Sequence, residues 1–175
     1  MRRLVYSVAA SLDGFISGPQ GEYDWIVQDP AFDFAALWDR FDTLLMGRRT
    51  YEVAIMRLDF LTSMGKKIVV TSTTLDPAKY PDVTILAGDI ADAVARLKAD
   101  PGAGSEKDIW LMGGGALFRA MLDAGLVDSV EVAVSPVLLG GGVPLIPVGR
   151  RHTLRLAESM TLPTGILTLK YDVNA

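Results

Sequence analysis

The 175-residue sequence predicts an α/β fold: a single domain on a mixed sheet, parallel at its centre and antiparallel in its C-terminal strands, with helices on both faces. Three observations predict it. Short β-branched apolar runs alternate with helical patterns as far as Gly125. The runs KIVV and IWLM have no polar alternation, as expected of strands covered on both sides. The last segments, SVEVAVSPV, HTLRLAESMTL and GILTLKYDV, follow one another with no helix between them. In the last of these, Leu167, Leu169 and Tyr171 alternate with Thr168, Lys170 and Asp172, a pattern that suits an antiparallel strand with one wetter face.

In chain order the predicted strands are LVYSVAA near Leu4, DTLLMG near Asp42, KKIVVTS near Lys66, DVTILAG near Asp82, DIWLMG near Asp108 and SVEVAVSPV near Ser129. Asp29-Pro30 predicts a helix start, with Asp29 as N-cap and Pro30 at the first helical position. Phe34, Leu37, Trp38 and Phe41 follow at helical spacing. A second helix runs roughly from Ile90 to Lys98, with Ile90, Val94 and Leu97 on one face. A third follows Gly113-Gly114-Gly115, turning Leu117, Met121 and Leu122 inward and stopping at Gly125. The stretch DPGAGSE, Asp100 to Glu106, reads as a surface loop rather than a linker between domains.

Composition excludes several function classes. Half the residues are hydrophobic, enough for a full core, and the net charge of −4 shows no basic excess of the kind a nucleic-acid binder carries. The absence of cysteine removes disulfides, thiolate metal sites and a cysteine nucleophile, and it suits a reducing cytoplasm. Asp13-Gly14 interrupts the N-terminal apolar run too early for a signal peptide, and no stretch approaches the ~20 apolar residues of a membrane span. His152 is the only histidine; among Arg150, Arg151 and Arg155 it reads as exposed and non-catalytic. No Gly-x-Ser-x-Gly elbow or metal-ligand spacing is present.

In open α/β sheets ligands bind beyond the carboxyl ends of the strands, so the residues there are the candidates. Gly113, Gly114, Gly115 and Ala116 end one strand and start a helix. Without Cβ atoms, such a turn lets backbone N–H groups reach a phosphate, yet the same glycines suit a plain tight turn. Phe118 stands where a dinucleotide fingerprint needs its third glycine, and no P-loop lysine follows. In MGRRTYE another strand ends in Gly47 and enters a helix beginning with Arg48 and Arg49. Two cations at a helix N-terminus oppose its dipole unless an anion binds there; they also read as solvated surface charges. Thr71, Ser72 and Thr73 offer hydroxyls to a phosphate or ribose, or only cap a turn. Ser135 to Gly142 forms either a mobile loop over a ligand or a wide connection. The acids near the expected cleft are Asp13, Asp29 and Asp33, with capping the stronger reading for Asp29.

Taken in order, VAASLDGFI, LLMGRRTYE, VVTS, LMGGGALF and SPVLLGGGVPL resemble the dihydrofolate reductase-like superfamily. More closely, they resemble the reductase domain of bifunctional riboflavin-biosynthesis enzymes and its stand-alone bacterial relatives. The resemblance runs from about Arg3 to Tyr171 and implies a homodimeric reductase using NADPH. It implies that Ala9 and Ile16 line the nicotinamide pocket and that Gly47, Arg48, Arg49 and Thr50 meet the pyrophosphate and 2′-phosphate. It puts Thr71, Ser72 and Thr73 on the adenosine side, and Gly113, Gly114, Gly115, Ala116 and Leu117 at the pyrophosphate. Asp13 and Gly14 belong to a Leu-Asp-Gly motif beside the substrate cleft. Asp33 lies near the acidic residue that dihydrofolate reductases keep in their first helix. The zinc deaminase motif of the bifunctional enzymes has no counterpart here, since the sequence has no cysteine.

The expected activity is hydride transfer from NADPH to a C=N or C=O carbon of a small heterocyclic or ribosyl substrate, either 5-amino-6-(5-phosphoribosylamino)uracil-like or dihydrofolate-like. The proton is expected through a bound water first, with Asp13 and Asp33 as the candidate acids. A non-catalytic nucleotide-binding or ligand-sensing module is the alternative, and a dimer scaffold whose glycines only turn the chain is the third reading. The expected partners are a small-molecule substrate and a second copy of the chain, with neither nucleic acid nor membrane.

Overall fold

The computed structural model describes residues 1–54, 65–99 and 107–173. The loop expected at 100–106 lies outside them. Strand β1 (Leu4–Ser11) is followed by the short β2 (Phe15–Ser17), helix α1 (Phe34–Asp39), β3 (Phe41–Gly47) and α2 (Arg48–Ala54). Then come β4 (Lys67–Thr71), β5 (Val83–Leu86), α3 (Ile90–Ala99), β6 (Asp108–Gly113) and α4 (Gly115–Asp123). The chain closes with β7 (Ser129–Ser135), β8 (Val143–Pro144), β9 (Leu154–Thr161) and β10 (Leu167–Val173). Eight strands form one sheet in the order β5-β4-β3-β6-β1-β7-β10-β9, and β2 pairs with β8 in a separate ribbon. The strands from β5 to β7 are parallel, while β10 runs antiparallel to both β7 and β9. This is the predicted mixed sheet.

Burial on both sides explains the continuous apolar runs. Leu4, Tyr6, Leu45, Val69, Ile109 and Leu111 face α3 and α4, in one cluster with Val94, Leu117, Phe118 and Met121. Their strand neighbours Val5, Leu44, Met46, Ile68, Val70 and Trp110 face the other way, with Tyr51 of α2 and Leu37 and Trp38 of α1. Side chains alternate across a strand, so each core takes every second residue and a strand between two cores is apolar along most of its length. Helix α4 stops where predicted. Gly125, at φ +70°, lets its own N–H reach Leu122 O at 3.1 Å and the N–H of Leu126 reach Met121 O at 3.0 Å. These are the paired bonds of a left-handed helix stop.

Two expectations about α1 are corrected. Asp33, not Asp29, is the N-cap: its Oδ1 accepts the Ala36 N–H at 2.8 Å, and Pro30 precedes the helix. Phe41 is the first residue of β3 and is fully buried, rather than the last of a helical stripe. The helix is short because the chain turns into β3 after Arg40, whose N–H bonds Leu37 O at 3.3 Å.

The exposure expected of His152 is also corrected. Its Nε2 lies 2.7 Å from Asp123 Oδ1, and its side chain is 15 % exposed. With Arg119, whose Nε is 2.9 Å from Asp123 Oδ2, it fastens the segment after β8 to the end of α4. The His152 hydrogen bond is the main reason the Asp123 carboxyl is held below the usual range.

Candidate active site

The carboxyl ends of β3, β4 and β6 lie side by side. Met46 pairs with Gly113, and Gly47 pairs with Thr71. Two of the glycine turns singled out in the sequence therefore meet. A Cβ at Gly47 would lie 3.7 Å from Gly114 N and 3.9 Å from Gly113 O, and a Cβ at Gly113 would lie 3.3 Å from Thr50 Oγ1. Glycine keeps this gap free of side chains. Helix α4 opens onto it with Gly114 as N-cap and no side-chain cap. Its first helical bond runs from Phe118 N to Gly114 O at 3.0 Å, so the N–H groups of Gly115, Ala116 and Leu117 come before the helix begins to satisfy its own donors.

The other predicted cofactor residues surround this gap with differing freedom. Arg48 makes an i,i+4 ion pair with Glu52 at 2.8 Å, with both side chains about half exposed, and Arg49 is exposed. Leu117 packs its side chain into the core, which leaves only its backbone for a ligand. Gly115 lies under the end of β8 and the residue after it, where a Cβ would come 2.8 Å from Pro144 O and 3.1 Å from Leu145 O. Thr71 ends β4, and Thr73 is exposed. Ser72 Oγ accepts the N–H groups of Thr74 and Leu75, both at 3.1 Å, which gives it the turn-capping role. Ile16 is half-buried in β2.

On the α1 side of the sheet lies a cavity of about 370 Å³, within the small-molecule range. Its walls include Ala9, Trp110, Phe32, Phe34, Leu37, Met160 and Ile166. No residue of α1 is fully buried: Leu37 and Trp38 pack against the core, while Phe34, Ala36 and Leu37 border this open space. Tyr6 pairs with Leu111, so Ala9, three residues on, stands close to the level of Gly114. The cavity and the glycine turn thus belong to neighbouring strands, β1 and β6. Asp33 borders the cavity too, with Oδ1 engaged by the helix cap.

Asp13 has other work. It accepts Ser11 Oγ–H at 2.6 Å, Leu139 N–H at 3.1 Å and Gly140 N–H at 2.7 Å. These bonds, led by the Ser11 hydroxyl, hold its carboxyl below the usual range, so it is ionised near neutrality and stands outside the cavity walls. They also fasten the 135–142 segment to the β1–β2 turn, with help from Leu12 N to Val137 O at 2.8 Å. Of the two readings of that segment, the structure favours a fixed connection. Gly142, at φ +145°, lies where a Cβ would overlap the Ser17 carbonyl, so only glycine fits.

Asp29 is buried and spans 135 residues to the β9–β10 turn, accepting Thr164 Oγ1 at 2.6 Å and Thr164 N at 3.0 Å. The Thr164 hydroxyl is the main cause of its lowered pKa. A depressed folded value stabilises the protein above the ordinary carboxylate pKa of ~3.9, and that stabilisation is lost as pH falls through the folded value. Thermal melts between pH 7 and 3 should therefore show Asp29→Asn less stable at pH 7 and flatter than the unmodified protein on acidification. Parallel curves would remove this role.

Comparison with known proteins identifies the frame. Residues 53–168 match the RibD C-terminal domain. The chain belongs to this family. The uncharacterized protein YyaP of Bacillus subtilis (strain 168) is 33 % identical over 187 residues, covering 99 % of this chain and 96 % of that protein. A putative riboflavin biosynthesis protein from Shewanella sp. PV-4 superposes with a TM-score of 0.77 at 28 % identity, covering both chains fully. Dihydrofolate reductase from Enterococcus faecalis, complexed with NADP(H), shares the fold at a TM-score of 0.70 and 16 % identity, covering 99 % of this chain and 97 % of that one. The family is reductase-like and the fold is dihydrofolate reductase-like.

Several cavity residues of this RibD C-terminal domain escaped the sequence reading. Arg40 donates to both oxygens of Glu131 at 2.8 and 2.7 Å on the cavity wall, and Lys170 pairs with Glu158 at 2.7 Å at its β9–β10 side. A signal existed for Glu131: it is the one charge within the apolar run SVEVAVS, and a buried acid in a strand calls for a partner. Nothing local pointed to Arg40, Glu158 or Lys170.

Proposed function

We propose that this protein is an NADPH-dependent reductase that transfers a hydride to a small substrate held in the α1 cavity. The observation that carries the reading is the uncapped start of α4 facing the side-chain-free Gly47, beside a cavity large enough for a ring compound. The residues present fit a dinucleotide. The Gly47 to Gly114 gap is a cradle that a Cβ would fill, and pre-helical N–H groups suit a pyrophosphate. Gly113, Gly114, Gly115, Ala116 and Thr50 would hold that group. Arg48, exchanging Glu52, and Arg49 would hold a 2′-phosphate, with Thr71, Ser72 and Thr73 on the adenosine side.

NADPH, when bound, supplies the hydride. The chain's own tasks are to orient two flat groups, exclude water and deliver a proton. Ala9 and Ile16 would pack the nicotinamide, and Trp110, Phe32 and Leu37 would enclose the substrate. Asp33, at the cavity border, would position a water to carry the proton. Asp13, ionised and held by its three donors, serves to fix the neighbouring loop.

Titration of the protein with NADPH to ~100 μM, followed by fluorescence quenching, tests the reading. Saturable binding is expected. Arg48→Ala combined with Arg49→Ala should weaken NADPH about tenfold to a hundredfold and NADH far less. No binding would remove the reading, and an unchanged NADPH affinity in the double variant would remove the roles of Arg48 and Arg49. Turnover of NADPH with a substrate separates the reductase from a ligand-sensing module of the same fold. The reading includes a cytoplasmic homodimer: among the described residues β9 is an edge strand of the sheet, and Leu156 and Met160 on it are 51 % and 47 % exposed. Light scattering should give twice the chain mass. Among the described residues no helix is long and apolar enough to cross a membrane.

A further inference from the structure

The charges around the α1 cavity are unequal. Asp29, Asp33, Glu131 and Glu158 border it, against only Arg40 and Lys170 among the described residues. Both cations are taken. Arg40 forks onto both oxygens of Glu131, which is 9 % exposed, and lies over the Phe41 ring at 5.0 Å. Lys170 is 2.7 Å from Glu158. The remaining acids have no cation of their own in the cavity: Asp29 is held by Thr164 and Ala31, and Asp33 caps α1. The rest of the wall is largely apolar and aromatic.

We propose that the substrate of this cavity is an unphosphorylated compound of one or two rings, neutral or singly cationic, and that phosphate- or carboxylate-bearing compounds are rejected. An anion entering here meets two uncompensated acids. To gain a cation it must share Arg40 or Lys170 with the carboxylate each already neutralises, and drawing Arg40 away would strand a nearly buried Glu131. A neutral ring needs none of this and covers the apolar wall. A single positive charge meets a favourable field. The proposal rests on the reductase reading for the identity of the cavity as the substrate side, and it narrows that reading away from phosphoribosyl substrates.

The test uses three matched probes, 2-naphthylmethanol, 2-naphthylmethylamine and 2-naphthylmethyl phosphate. Their affinities for the full chain are measured by calorimetry, and NADPH is titrated separately on the same preparations. The alcohol and the amine should bind, and the phosphate should bind at least about tenfold more weakly. Glu158→Gln, which releases Lys170, should narrow the alcohol-to-phosphate ratio several-fold. Equal or tighter binding of the phosphate overturns the proposal. So does failure of all three probes to bind, or an unchanged ratio in Glu158→Gln. The two readings fail separately. Discrimination among the probes without NADPH binding removes the reductase reading alone, and NADPH binding with a preferred phosphate removes only this one.

Discussion

Gly47→Asp is expected to abolish dinucleotide binding and leave the fold intact. Gly47 does not need a positive φ, and the nearest atoms to its missing Cβ are Gly114 N at 3.7 Å and Gly113 O at 3.9 Å, an ordinary contact distance. The backbone therefore tolerates a side chain. The new carboxylate would occupy the gap where the pyrophosphate is proposed and use the N–H groups at the start of α4 for itself. NADPH affinity should fall by at least about a hundredfold, or ~2.7 kcal/mol, with an intermediate loss for Gly47→Ala. A calorimetric titration beside a thermal melt decides it. Undiminished affinity in a folded variant would mean that phosphates bind elsewhere.

Lys98→Met is expected to destabilise the protein by about 2 kcal/mol without touching NADPH affinity. Lys98 is 5 % exposed, and its Nζ donates at 2.6 Å both to Leu126 O and to Asp128 Oδ2. The same Asp128 oxygen accepts the Leu4 N–H at 2.6 Å, so one ammonium joins α3 to the start of β1 and the approach to β7. Methionine fills similar space but leaves that carbonyl and carboxylate short of a donor. Asp128 is 36 % exposed, and water recovers part of the loss, which places the effect below that of a fully buried broken pair. The melting temperature should drop by roughly 4–8 °C for a chain of this size. The pair sits at the opposite end of the strands from Gly47 and Gly113, so cofactor binding should be unaffected. An unchanged melting temperature would show that the contact contributes nothing net.

The strands were legible because their chemistry is local. A strand covered on both faces is apolar through its buried centre, as Ile68–Val70 and Ile109–Leu111 are. Helix α4 was legible for the same reason, from Leu117, Met121 and Leu122 to its stop at Gly125. Helix α1 was misread at both ends, and the cause is physical. An Asp before a proline and an Asp four residues later offer the same capping oxygen, and only the position of Thr164, 135 residues away in sequence from Asp29, decides which one caps. Phe41 continued a helical period by coincidence, since β3 begins there.

The site divides along the same line. Sequence by itself determined the glycine turns, the arginines beside one of them, and the parallel arrangement that brings strand ends together. Each follows from what a residue type can do within its own few neighbours. Tertiary structure alone decided that Gly47 faces Gly114 and that α1 sets Leu37 and Trp38 against the core while Phe34 and Leu37 border a cavity. It also gave Asp13 to a loop and engaged both cavity cations with carboxylates. Those outcomes depend on strand order and register, which set Arg40 against Glu131 across 91 residues and Lys170 against Glu158 across a hairpin. A side chain's partner, and therefore its charge and its use, is fixed by neighbours in space that the neighbouring sequence does not name.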